Sequence, residues 1–317
     1  MTTQLMPAAR AGAGLGFIML AAVVLALGDG LVKIVSEQIS VWQLVLLRSL
    51  IAVPALLVML ILRRRCAIWP KRRLWVVIRS LLLVGMWLLV YAALPSLDMP
   101  TVSAALYTAP LLITVLSAIG SRRLGDANLP AVAVGFVGVL LLLRPGTDAF
   151  SPMLLLPLAA AVLYALAALV TGAQCRDESP LVLSLCLNIV FLMVGVFGVV
   201  LLAWHPLPAL AAHSSFIFGG MRDLAWPVAL TIVALAAILV TANICMARAY
   251  QTGPAPVVAA GDYSYLVFSA FWSVLLFQAL PDTLGLCGIG LIILAGVQSM
   301  WWGRRCALPR RRFERVD

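Results

Sequence analysis

Apolar stretches about twenty residues long recur along this chain, and a helical stretch of that length crosses the ~30 Å hydrocarbon core of a bilayer. Ten are legible: Ala13 to Ile34, Val41 to Leu62, Leu74 to Leu94, Thr101 to Ile119, Leu129 to Leu143, Ser151 to Thr171, Pro180 to Trp204, Ala225 to Tyr250, Ala255 to Phe277 and Leu284 to Trp302. The fifth is short, and the longest connection runs from His205 to Leu224. With 64% hydrophobic and 11% charged residues and a mean hydropathy of +1.10, the chain has too little polar surface to face water as a globule. The expectation is an all-α integral membrane protein of ten transmembrane helices, with no separate soluble domain and an uncleaved first span.

Orientation follows from the basic residues, because positively charged loops stay cytoplasmic. An inside N-terminus puts sixteen Lys and Arg on that side, among them Arg63, Arg64, Arg65, Lys71, Arg72, Arg73, Arg122, Arg123, Arg176 and the tail arginines, against Lys33, Arg144 and Arg222 outside. Both termini are then cytoplasmic. The +10 net charge is read as topology anchoring and not as a nucleic-acid surface. Arg far exceeds Lys, and Ala and Leu abound, a composition pointing to a GC-rich bacterial genome and so to a bacterial inner membrane. The six cysteines fall in basic segments (Cys66, Cys175, Cys306) or apolar ones (Cys186, Cys245, Cys287), so no disulfide is expected.

The stretch from Ala92 to Pro110 returns in altered form from Ala247 to Tyr265, with Val102, Ala104, Ala105 and Leu111 meeting Val257, Ala259, Ala260 and Leu266 at a fixed offset of 155 residues. Ten spans in two copies means five per copy, and an odd number inverts the second copy in the membrane. The expected domains are a five-helix repeat at 13–144, a second at 151–302 and a basic cytoplasmic tail at 303–317. Inverted repeats are the usual build of secondary transporters.

At these repeats the chain resembles the drug/metabolite transporter superfamily, in particular its ten-helix members with two EamA-type domains. The residues that carry the resemblance are RSLIAVPALL from Arg48, LPSLDMPTVSAALYTAPLL from Leu94, GFVGVLLLLRPG from Gly135, and GDYSYLVFSAFWSVLLF with LPD and GIGLIILAG after it. The likeness covers residues 15 to 302 and is strongest to a bacterial branch with a Tyr-containing ninth helix, in which metabolite, riboflavin and S-adenosylmethionine carriers have been placed. It implies a carrier of small molecules and leaves the substrate open. Where many members have a Glu at the end of the fourth and ninth helices, this chain has the run Ser121 to Gly125 and Ala279, so a role for those carboxylates does not carry over. Asp262 stands where that branch commonly has an apolar residue.

Ionisable side chains at mid-membrane cost about 2.5 to 3.5 kcal/mol, so each needs a reason. Asp29 and Arg48 lie about 8 to 10 Å deep from the outer side by helix rise, as an ion pair or as groups that handle substrate or a proton. Lys33, one turn on, is expected to snorkel. Asp262 is about 10 Å deep from the cytoplasmic side. It shares a face with Tyr265, Ser269 and Trp272, a stripe that must meet a neighbouring helix or a wet cavity; Arg79 and Arg248 are its available partners. Trp87, Tyr91, Tyr107, Tyr164, Tyr263 and Asn243 fill out a candidate substrate site, and Asn188 reads as helix–helix glue.

His205 and His213 are the only histidines and lie in a loop, and no HExxH, GxSxG or GxxxxGK[ST] is present, so neither a metal, a cofactor nor a catalytic residue is assigned. The reading is a secondary carrier of an amino-acid-, nucleoside- or vitamin-like metabolite, working by alternating access with Asp29 or Asp262 as proton-handling groups. Its rivals are an uncoupled facilitator and an integral-membrane enzyme acting on lipids. A homodimer is left open.

Overall fold

The computed structural model describes residues 5–62, 69–109, 112–113, 116, 129–143, 151–175, 177–252, 264–279 and 282–307. Among them there is helix and no strand, as a bilayer requires of a chain that must satisfy every backbone group within its own segment. The helices are α1 (Leu5–Val35), α2 (Val41–Leu62), α3 (Arg73–Ala93), α4 (Met99–Leu106), α5 (Leu129–Leu143), α6 (Leu155–Gln174), α7 (Pro180–Trp204), α8 (Pro208–His213), α9 (Ser215–Phe218), α10 (Trp226–Thr252), α11 (Ser264–Phe277) and α12 (Thr283–Ala307). A 3-10 turn, Pro152–Leu154, leads into α6.

Among the described residues, six segments are long and apolar enough to cross a membrane: Gly14–Val35, Val41–Leu62, Arg73–Ala93, Pro152–Gln174, Pro180–Trp204 and Trp226–Met246. Ser264–Phe277 and Thr283–Ala295 are shorter apolar helices. The chain is therefore a multi-pass membrane protein. Its large exposed apolar side chains, such as Leu62 at 74% and Phe197 at 66%, belong against lipid. The expected fourth span begins as α4, with Asp98 accepting from the Thr101 backbone N–H at 3.1 Å and from its hydroxyl at 2.7 Å. That cap, with Pro100 in the first turn, sets the start of α4. Much of the rest of that span lies outside the described residues, as do Pro110, Arg122, Arg123, Arg144, Arg176, the segment 253–263 and the end of the basic tail. The long connection after α7 is not extended chain but holds the short helices α8 and α9.

Helices pair across the two halves of the chain. α1 packs on α10, α2 on α7, α3 on α6, α4 on α11 and α5 on α12. Glycines set the closest of these approaches. A Cβ at Gly195 would lie 2.9 Å from the Leu46 backbone, and one at Gly198 would enter the Trp42 ring, so α7 meets α2 along a strip without side chains. At Gly138 a Cβ would sit 2.8 Å from the Gly288 carbonyl oxygen, which joins α5 to α12.

Polar clasps tie the ends of this bundle. At one end, Gln43 at the start of α2 donates to the Arg222 carbonyl at 2.8 Å and accepts from the Arg222 N–H at 3.0 Å. There too Trp42 donates to the Ile217 carbonyl at 2.8 Å, and the Arg222 guanidinium donates to the Glu37 carbonyl at 2.8 Å. At the other, just before α3, the Arg72 N–H donates to Glu178 at 2.9 Å and its guanidinium to Gln174.

Candidate binding site within the bundle

Asp29 lies on α1 between two glycines. A Cβ at Gly28 would meet Ile238 of α10 at 3.1 Å, and one at Gly30 would meet Leu276 of α11 at 2.6 Å, with Met99 of α4 at 3.6 Å. The Gly-Asp-Gly run thus lets three helices close around one carboxylate, which is 6% exposed. Tyr265 of α11, equally buried, donates its hydroxyl to Asp29 Oδ2. The Tyr265 ring stacks on Tyr107, just past α4, with centroids 5.5 Å apart. Further along α11, Trp272 donates to the Val23 carbonyl of α1 at 3.2 Å.

Arg48 of α2 is 2% exposed. Its Nη1 donates to the Tyr91 hydroxyl at 2.5 Å, and its guanidinium lies 5.5 Å from the Tyr91 ring centroid and 4.8 Å from that of Phe191 on α7. Trp87, one turn before Tyr91 on α3, has its ring centroid 5.4 Å from that of Tyr91. Nε and Nη2 of Arg48 are buried without a hydrogen-bond partner among the described residues. Asp29, Arg48, Trp87 and Tyr91 line one cavity, closed by Leu25, Gly28 and Val32 of α1 and by Leu235, Ile238 and Leu239 of α10. Its volume of about 20 Å³ takes one water-sized group.

The site departs from the sequence reading in several places. Asp29 and Arg48 share the cavity but do not form a direct ion pair among the described residues; each is met by a tyrosine instead. The described part of the stripe, Tyr265, Ser269 and Trp272, faces the neighbouring α1 and is tied to it at Asp29 and Val23. Lys33 is half-buried; its ammonium donates to the Leu97 carbonyl, in the connection between α3 and α4, at 2.5 Å and sits 5.2 Å from the Phe277 ring centroid. Tyr164 of α6 stands near Arg79, which donates to Thr171 at 2.9 Å, and so belongs to a separate polar spot between α3 and α6. Asn243 of α10 is half-buried and does not line the cavity. Asn188 donates to the Ser184 carbonyl of its own helix at 2.9 Å, not to a neighbour. Asp262 and Tyr263 lie outside the described residues. Phe191 escaped the sequence reading because one ring in an apolar helix carries no polar signal; only the pairing of α7 with α2 reveals its cation.

Residues 12–144 match the EamA-like transporter family. Over this first part the chain is similar to an EamA-like transporter domain. The matched region holds Asp29, Arg48, Trp87, Tyr91 and Tyr107, so most of the cluster falls within it, with Tyr265, Phe191 and the α10 wall added from beyond. A protein described as a riboflavin transporter, from Rhizobium johnstonii, is 28% identical over 158 residues, 48% of this chain and 50% of that protein. The match thus spans half the length of that relative. A crystal structure aligns over 95% of this chain and 99% of its own at 22% identity with a TM-score of 0.57, a likeness of fold alone.

Proposed function

We propose that the protein is a secondary transporter that carries a small organic metabolite across a bacterial inner membrane by alternating access. The observation that carries this reading is the pair Asp29 and Arg48, ionisable groups on membrane-spanning helices that face a common cavity instead of lipid. Such groups are expensive in a bilayer and mark pathways for substrate or ions. The EamA-like match and the riboflavin-transporter relative support a carrier over an enzyme.

The reciprocal helix pairing supports two inverted five-helix repeats, 13–144 and 151–302, within ten spans. If α6, α7, α10, α11 and α12 are the second copy's first to fifth helices, the contact of α1 with α10 has its mirror in that of α3 with α6. The pairs α2 with α7, α4 with α11 and α5 with α12 map onto themselves. A two-fold pseudo-axis in the membrane plane generates that pattern, and rocking of one repeat against the other opens the site to each side in turn. Asp262, Tyr263 and Asn243 remain proposed lining groups of the cytoplasmic half of the path, and Asp29 the group that takes up a proton.

Proteoliposomes loaded in turn with riboflavin, uridine and phenylalanine test the reading. Counterflow of at least one, above protein-free vesicles, is expected; absence of all three counterflows overturns it. With the transported compound, an imposed pH gradient accelerates uptake by the wild type and not by Asp29→Asn. Equal rates with and without the gradient favour the uncoupled facilitator.

A further inference from the structure

The substrate is read through the unused edge of Arg48. Of the five guanidinium N–H groups, one on Nη1 is donated to the Tyr91 hydroxyl, while the N–H of Nε and the parallel N–H of Nη2 lie together along another edge without a partner among the described residues. Leaving donors buried and unpaired costs about 1 to 3 kcal/mol each, so a site that keeps them is built for an incoming group. That edge presents two parallel donors and matches two acceptors held side by side in one plane.

Two chemistries offer such a pair, a carboxylate and the adjacent carbonyl oxygen and ring nitrogen of a heterocycle. Charge decides between them. While Asp29 is ionised, it and Arg48 carry opposite charges in one cavity whose remaining walls are apolar or aromatic, so in that state the pair is already balanced without touching. A carboxylate would leave one unbalanced negative charge in a low-dielectric interior, whereas a neutral heterocycle adds none. Trp87 and Tyr91 line the same cavity as Arg48, and their rings favour a flat partner. We infer that Arg48 binds the acceptor edge of a neutral, planar nitrogen heterocycle, a carbonyl oxygen next to a ring nitrogen, and that this contact sets the substrate class. The inference rests on the carrier reading above. The cavity accepts one water-sized group as it stands, so the ring edge enters as the site widens, with the apolar α10 wall offering no polar bond to break.

Binding to purified protein in nanodiscs tests this apart from transport. The probes are guanosine against 7-deazaguanosine, riboflavin against 5-deazariboflavin, and benzoate as the carboxylate arm. Each deaza analogue replaces the ring nitrogen of the pair by C–H. The wild type is expected to bind at least one parent compound about tenfold more tightly than its deaza analogue, since a buried donor loses its acceptor, and to bind benzoate more weakly than that parent. Arg48→Lys, which keeps the charge but not the fork, abolishes the preference for the parent. Equal binding of parent and analogue in both pairs, no binding of either parent, or tighter binding of benzoate overturns the inference. The wild-type comparison stands even where Arg48→Lys fails to fold. Discrimination without any counterflow would sink the carrier reading and leave the binding edge intact; counterflow without discrimination does the reverse.

Discussion

At the scale of single residues, Asp29 shows how much one carboxylate demands of its surroundings. Its only hydrogen bond among the described residues comes from Tyr265, and both groups are 6% exposed. Removing the tyrosine hydroxyl leaves a buried carboxylate short of its donor, a loss of about 1 to 3 kcal/mol. Tyr265→Phe should lower the thermal unfolding temperature in detergent. In the double variant Asp29→Ala/Tyr265→Phe the two losses should fail to add, with a coupling of about 0.5 to 3 kcal/mol. Strict additivity would mean that the bond contributes nothing. That Asp29 and Arg48 are buried is legible from their place within apolar runs. Their tyrosine partners were not, because Tyr91 and Tyr265 lie 43 and 236 residues away, and which helix faces meet is decided by packing.

At the scale of helices, the small residues decide where axes approach, and their effects should sort by what a new methyl group would strike. At Gly138 it strikes the backbone of α12, the Gly288 carbonyl at 2.8 Å and the Ile292 nitrogen at 3.1 Å, which cannot swing aside. Gly138→Ala should therefore destabilise by about 1 to 3 kcal/mol, as overpacking does. At Gly290 nothing lies within 4 Å, and Gly290→Ala should stay within about 0.5 kcal/mol of the wild type. Thermal unfolding of the two variants side by side checks this, and equal losses would contradict it. Gly195→Ala, against the Leu46 backbone at 2.9 Å, belongs with Gly138 and carries a further consequence. It pushes α2 off α7, which holds Arg48 near Phe191, so ligand binding should fall along with stability. The apolar runs announce the extents of α2, α5 and α7 to the residue and those of α3 to within one, but not the ends of α1, α6 or α12. Periodicity could not announce these contacts, since a glycine in an apolar helix reads alike whether it meets lipid or a neighbour.

At the scale of the whole molecule, the two polar clasps fix which loops share an end. α2 is 22 residues long, about 33 Å by helix rise, and Gln43 at its start is clasped to Arg222 while Arg72, beyond its end, is clasped to Gln174 and Glu178. The connections 36–40 and 205–225 therefore lie at one end of the bundle, and 69–72 with 175–179 at the other. Lysine and arginine crowd the second end in the sequence, and the positive-inside rule predicts a cytoplasmic side for it. Cysteine variants in intact cells, on a background in which the six native cysteines are replaced by serine, test this orientation with a membrane-impermeant maleimide. Met221→Cys, at a position 60% exposed in the native chain, should react from outside, and Lys71→Cys only after the membrane is permeabilised. The reverse pattern would turn the molecule over, and with it the sides to which each repeat opens. Gln43→Ala in the same background removes both bonds to the Arg222 backbone, so the 205–225 connection should exchange its amide hydrogens faster over 208–222 while the 175–179 end is unchanged. Faster exchange at both ends would mean that the clasps hold up the bundle as a whole, whereas a change confined to the outer end marks that connection as a cover able to lift without unpacking the helices beneath it.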